Sequence, residues 1–226
     1  MLRIVLLLAL LASMLPAHAE SNPYNRVEFQ VEAARETAND LLVATLNADV
    51  QDKQPAEVAR LLNGALNEAL KVAGSYASVK TSSGNQRTYP VYGKNNQITG
   101  WRGQGQIRLE SRDFKAAGEL IMKLQATLQL AGVQFTVAPD SRALTENGLI
   151  TEAIKAFGQR AEAVRRALGM SGYKIVRFTI NTHGAPGIPV QMMRSDALMA
   201  SAIPAPEFTG GESRLTVEIN GTIELQ

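Results

Sequence analysis

The spacing of apolar residues predicts an α+β fold: antiparallel sheets of β-hairpins with helices packed on one face. Three observations carry this. Between Arg214 and Leu225, the residues Leu215, Val217, Ile219, Ile223 and Leu225 alternate with Thr216, Glu218, Asn220, Thr222 and Glu224. Period two with one apolar side is the pattern of an antiparallel strand that is buried on one face and solvated on the other. Val58, Leu61, Leu62, Ala65, Leu66, Ala69 and Leu70 recur instead at helical spacing. Segments of the two kinds take turns along the chain, which asks for sheets covered by helices.

Taken in order, Arg26 to Arg35 and Leu41 to Val50 read as two strands joined in a hairpin at Glu36 to Asp40. In the second, Leu42, Ala44, Leu46, Ala48 and Val50 share a face. Gln54-Pro55 opens the first helix, with proline where its missing N–H costs least, and Gly74 ends it. A second hairpin pairs Ala77 to Arg87 with Thr99 to Arg112 across a polar tip at Gly93 to Gln97. Its first arm is poor in apolar residues over Ser82 to Gln86, so that part is expected to fray or project. Asp113 is placed to cap a helix from Phe114 to Ala131, closed by Gly132, with a strand from Val133 to Ala138. The longest helix spans Glu146 to Leu168, with a narrow stripe of Ile150, Ile154, Phe157, Ala161, Val164 and Leu168 laid on a sheet. A strand from Tyr173 to Asn181 places Val176, Phe178 and Ile180 on one side. Thr182 to Ser213, with four prolines and four glycines, is too long for a plain connection and reads as a functional, interfacial or mobile segment.

Residues 1–19 have the form of a secretory signal peptide. Arg3 gives the positive start, Ile4 to Leu15 the apolar run, and Ala17-His18-Ala19 the small-x-small cleavage signal after Pro16. The run is shorter than the ~20 residues of a membrane-spanning helix. No cysteine follows it to accept a lipid. Export to the periplasm with cleavage after Ala19 is expected, leaving residues 20–226 as one folded domain without membrane insertion. Loss of Arg3 leaves 22 Lys+Arg against 21 Asp+Glu, a balance that gives no electrostatic case for nucleic acid. With no cysteine in the chain, disulfides, thiol nucleophiles and thiolate metal sites are excluded.

Catalytic patterns are equally sparse. Beyond the leader His183 is the single histidine, beside Gly184, and no Gly-x-Ser-x-Gly elbow accompanies it. Gly103-Gln104-Gly105 lacks the third glycine and following helix of a dinucleotide loop, and reads as strand glycines. Asp49 and Asp52 fall where a strand meets a helix, where capping explains them better than glycoside chemistry. Met192, Met193 and Met199 cluster in the long connection. Thioethers there suit an adaptable interface, sacrificial oxidation or Cu(I), in falling order of weight. Tyr89, Tyr92 and Trp101 gather on the second hairpin, either as a cross-strand cluster or as a ligand or subunit surface.

Several of these segments together resemble the SIMPL-domain family, exported bacterial proteins often described as periplasmic immunogenic or oxidative-stress-defence proteins. The residues that carry the likeness are Asn39-Asp40, Val79-Lys80-Thr81, Tyr89-Pro90 with Gly100-Trp101, and Gly132-Val133 with Phe135. The alanine-rich helix Ala153, Ala156, Ala161, Ala163 into Leu168-Gly169 and the segment Phe208 to Leu225 complete it. The chain departs from the family in lacking glycines in its first strand and in having Asn39 where proline is usual before the aspartate. The resemblance implies an α+β fold, a periplasmic location, ring-like oligomers in some members and a link to oxidative stress. It implies no catalytic residues and no cofactor.

The expectation is therefore a non-enzymatic periplasmic protein, a homo-oligomer or the partner of another envelope protein, that supports stress tolerance. Tyr89, Tyr92, Trp101, Met192, Met193 and Met199 are its candidate interface. A small-molecule or copper-binding protein and a hydrolase with an unfamiliar site are the alternatives.

Overall fold

The computed structural model describes residues 24–184 and 209–226. These form β1 (Arg26–Ala38), β2 (Leu41–Asp52), α1 (Pro55–Ala73), β3 (Lys80–Tyr92), β4 (Ile98–Ser111), α2 (Phe114–Leu124), β5 (Gln129–Thr136), α3 (Pro139–Ala167), β6 (Tyr173–Gly184) and β7 (Glu212–Leu225). The strands make two antiparallel sheets, a three-stranded one of order β1-β7-β6 and a four-stranded one of order β3-β4-β2-β5. The α+β architecture of antiparallel sheets with helices on one face is the one expected.

Each sheet has its own core. Leu42, Ala44 and Leu46 of β2 and Ile107 and Leu109 of β4 meet Leu62 and Leu66 of α1 and Leu120, Ile121 and Leu124 of α2. Leu215, Val217, Ile219 and Ile223 of β7 meet Leu149, Ala153, Phe157 and Ala161 of α3. The alternation read in the last strand is thus the alternation of one buried face. α1 begins as its sequence directs, on an extended Gln54 with Pro55 in the first turn, and Gly74 N–H closes it on Leu70 O. The glycines of β4 let α1 lie close: a Cβ on Gly103 would stand 2.5 Å from Val58, and one on Gly105 2.9 Å from Leu66.

Four expectations are corrected. β1 and β2 do not form a hairpin: β1 pairs along its whole length with β7, from Arg26 opposite Glu224 to Ala38 opposite Glu212. β2 lies between β4 and β5 in the other sheet. Asn39-Asp40 is the crossing between sheets, because β1 buries its apolar side with α3 while β2 buries its own with α1 and α2. Second, α2 stops at Leu124, and Gln129 and Leu130 already belong to β5. Apolar spacing alone ran on through Leu128, which is buried by a turn rather than by a helix.

Third, α3 starts at Pro139, seven residues before Glu146. The carboxylate of Asp40 accepts from Ala138 N–H at 2.6 Å and from the Ser141 hydroxyl at 2.5 Å, so a residue 98 positions away anchors this helix start. Its buried stripe is Leu149, Ala153, Phe157 and Ala161, leaving Ile154 and Leu168 exposed. Fourth, the polar arm at Ser82 to Gln86 stays in β3, accommodated by a bulge between Ser83 and Gln86.

Candidate interaction surfaces

The predicted aromatic site does not form one cluster. Tyr89 stands opposite Arg102 and Trp101 opposite Pro90, so strand alternation turns the two rings to opposite faces of the hairpin. Tyr92, more than half exposed, sits past a register shift opposite Ile98. Tyr89 joins a polar network instead. The Arg87 guanidinium lies 5.9 Å from its ring centroid and donates to Gln104 Oε1 at 2.7 and 3.0 Å. Gln104 Nε2 donates to Asp49 at 3.1 Å, and Arg102 grips the same carboxylate from Nε and Nη2. Hydrogen bonding from Arg102 holds the Asp49 carboxyl below the usual carboxylate range; Gln104 adds to this and burial opposes it. Asp49 is therefore a partner in a surface lattice, and neither aspartate caps the helix: Asp52 accepts from Gln54 N–H at 2.9 Å in the turn before it, and the N-cap Gln54 makes no side-chain cap bond.

Beside this lattice a polar cavity of about 230 Å³ is lined by Asn47, Asn85, Arg87, Gln104 and Gln106. The side-chain oxygen of Asn47 is buried without a hydrogen-bond partner.

A row of exposed apolar residues lies elsewhere, on β6. Ile175 is 54 % exposed, Phe178 37 % and Ile180 38 %. α3 centres on β1 and β7: Phe157 stacks on Phe29 at 4.6 Å and reaches only the edge of Phe178 at 5.3 Å. Ile154 remains exposed on the helix. The sequence reading grouped Val176 with Phe178 and Ile180, but Val176 is the extra residue of a bulge. Ile175 faces Ile223 and Arg177 faces Thr222, so Ile175, Phe178 and Ile180 make the helix-side row. Both β6 and β1 are edge strands of their sheet. Alternation in the sequence marked a strand here; nothing local showed that its apolar side would lie beyond the helix.

His183 takes its place near the end of β6, opposite Thr216. Met192, Met193 and Met199 lie outside the described residues. Among the described residues no group of three or more His, Asp or Glu is placed to hold a metal ion. No helix there is long and apolar enough to cross a membrane.

Two helix-backed antiparallel sheets define the chain as an α+β domain, with β1 and β6 at the edges of the three-stranded sheet among the described residues. The SIMPL family model, described as a protein of unknown function (DUF541), matches residues 27–223, and the chain belongs to that family. No curated protein matches it.

Proposed function

We propose that this is an exported, non-enzymatic protein of the periplasm that works by assembling with copies of itself, and that the assembly supports tolerance of envelope or oxidative stress. One observation carries the assembly: a row of half-exposed Ile and Phe on an edge strand, the combination that soluble proteins normally blunt or cover. Export is supported by the signal-peptide form of residues 1–19. The stress role is supported only by the family likeness described above.

Light scattering behind a sizing column, on residues 20–226, tests the assembly; a discrete multiple of the chain mass is expected, and a monomer at every concentration rejects it. Fractionation of the native host tests location, with a mature N-terminus at Glu20 expected. Survival of a deletion strain in peroxide tests the stress role.

A second reading, a binder of a small polar solute, is favoured by the cavity beside Asn47 and its unpartnered oxygen, which a hydroxyl or amide donor would satisfy. At about 230 Å³ the cavity is below the ~300–1,000 Å³ of drug-sized sites, so only a small ligand fits. Thermal shift with a panel of sugars and amino acids tests it; an unchanged midpoint throughout, in a protein that also assembles, leaves assembly as the account.

A further inference from the structure

We propose that copies join head to tail, the outer edge of β6 in one copy pairing in parallel with the outer edge of β1 in the next. This rests on the self-assembly reading and names the surface it uses.

Direction and length agree. β1 and β6 are both antiparallel to β7 and so parallel to each other, with 13 and 12 residues. A second copy continuing the sheet therefore brings β1 alongside β6 in the evenly spaced ladder of a parallel pair, in which Arg160, now donating to Gln30 O at 3.5 Å, gives way to the incoming strand. Charge agrees as well. β6 carries exposed Lys174 and Arg177 and no acid, whereas β1 carries exposed Glu28, Glu32 and Glu36 beside Arg26 and Arg35, which are already paired with Glu224 and Glu152. Glu32 and Glu36 share the single cation Arg214, at 3.4 and 3.7 Å, so this row keeps excess negative charge.

Shape supplies the third argument. A groove of about 430 Å³ opens between β1 and α3, lined by Gln30, Val31, Ala156, Gln159 and Arg160. The incoming row of Ile175, Phe178 and Ile180 lies on the helix side of its own sheet, the side on which this groove opens. Two-fold pairing is disfavoured by the same charges: β6 on β6 opposes cations only, and β1 on β1 brings two rows of three glutamates and one arginine together. A head-to-tail contact between unlike edges generates a ring where the rotation closes and a filament where it does not.

The test uses paired charge reversals on residues 20–226, read by absolute mass in solution. One variant carries Lys174→Glu with Arg177→Glu, the other Glu28→Lys with Glu32→Lys. Each alone is expected to fall to a single chain, because both of its edges then have the same sign. Mixed one to one, the two are expected to regain the wild-type mass as an alternating assembly, which also shows that both are folded. A wild-type mass for either variant alone, or a mixture that stays monomeric while both variants show the wild-type circular dichroism spectrum, overturns the head-to-tail contact but leaves self-assembly standing. A wild-type chain that is itself monomeric at every concentration overturns both.

Discussion

The Ser213 hydroxyl donates to the side-chain oxygen of Asn39 across 2.6 Å, joining two residues that are 174 positions apart and both buried. The same asparagine donates from Nδ2 to Gly210 O at 2.8 Å and from its backbone N–H to Gly211 O at 3.0 Å. One side chain thereby ties the end of β1 to the start of β7 at the point where the chain crosses between sheets. Replacing Asn39 with Leu leaves the Ser213 hydroxyl and the Gly210 carbonyl unpaired inside the protein. A loss of about 2–4 kcal/mol is expected, at roughly 1–3 kcal/mol for each buried unsatisfied group after partial relaxation. Ser213→Ala is expected to cost less, about 1 kcal/mol, and the two losses should not add in a double variant. Urea unfolding of the four proteins measures this.

Asp40, the next residue, links stability to pH. Burial alone would raise its carboxyl, but the Ala138 N–H, the Ser141 hydroxyl and Arg112 outweigh it and hold it below the usual carboxylate range. A carboxyl lowered in the folded state adds stability above its unfolded value of about 3.9, and that contribution disappears as the pH falls through the folded value. Asp40→Asn is therefore expected to be less stable than wild type at pH 7, by about 1–2 kcal/mol for a partly exposed charge-assisted pair of bonds. The two proteins should converge as the pH falls through the folded value of the Asp40 carboxyl. Denaturant midpoints between pH 2 and 7 decide it; a constant gap across that range rejects the assignment.

The glycines of the sheets are expected to resist enlargement. A Cβ at Gly221 would stand 2.5 Å from the Phe157 ring and one at Gly103 2.5 Å from Val58. Gly221→Val and Gly103→Val should each lower stability by about 1–3 kcal/mol or more by overpacking. Gly132, with nothing near its Cβ position, provides the control within a strand: Gly132→Ala should change the thermal midpoint little.

Phe157 is the centre of the three-stranded sheet's core, stacked on Phe29 and set edge-on to Phe178. Phe157→Ala is expected to cost about 3–5 kcal/mol. Tyr92→Ser, at an exposed hairpin position, should stay within about 0.5 kcal/mol. Any loss of oligomer in Tyr92→Ser would then report a contact between copies and not a weakened fold.

Much of this molecule was legible from short-range pattern. The helix start at Gln54-Pro55 needs only local residues, as does the Asp113 cap that accepts from Ala116 N–H at 3.0 Å. The buried face of β7 likewise follows from alternation alone, since a side chain's face is set by its parity along the strand. Partner choice was decided at longer range. β1 took β7, 174 to 198 residues away, in preference to its neighbour β2, because each strand's apolar side had to meet a different helix layer. The start of α3 depended on Asp40, and the end of α2 on the pairing of Gln129 and Leu130 with β2. The proposed site divides in the same way. Apolar alternation and the charges of β1 and β6 are written in the sequence, but their exposure arises because α3 packs chiefly on two strands of a three-stranded sheet and touches the third through the Phe157–Phe178 contact. Local propensity sets which segments are strands and helices; only packing in three dimensions decides which of their faces meet and which stay bare.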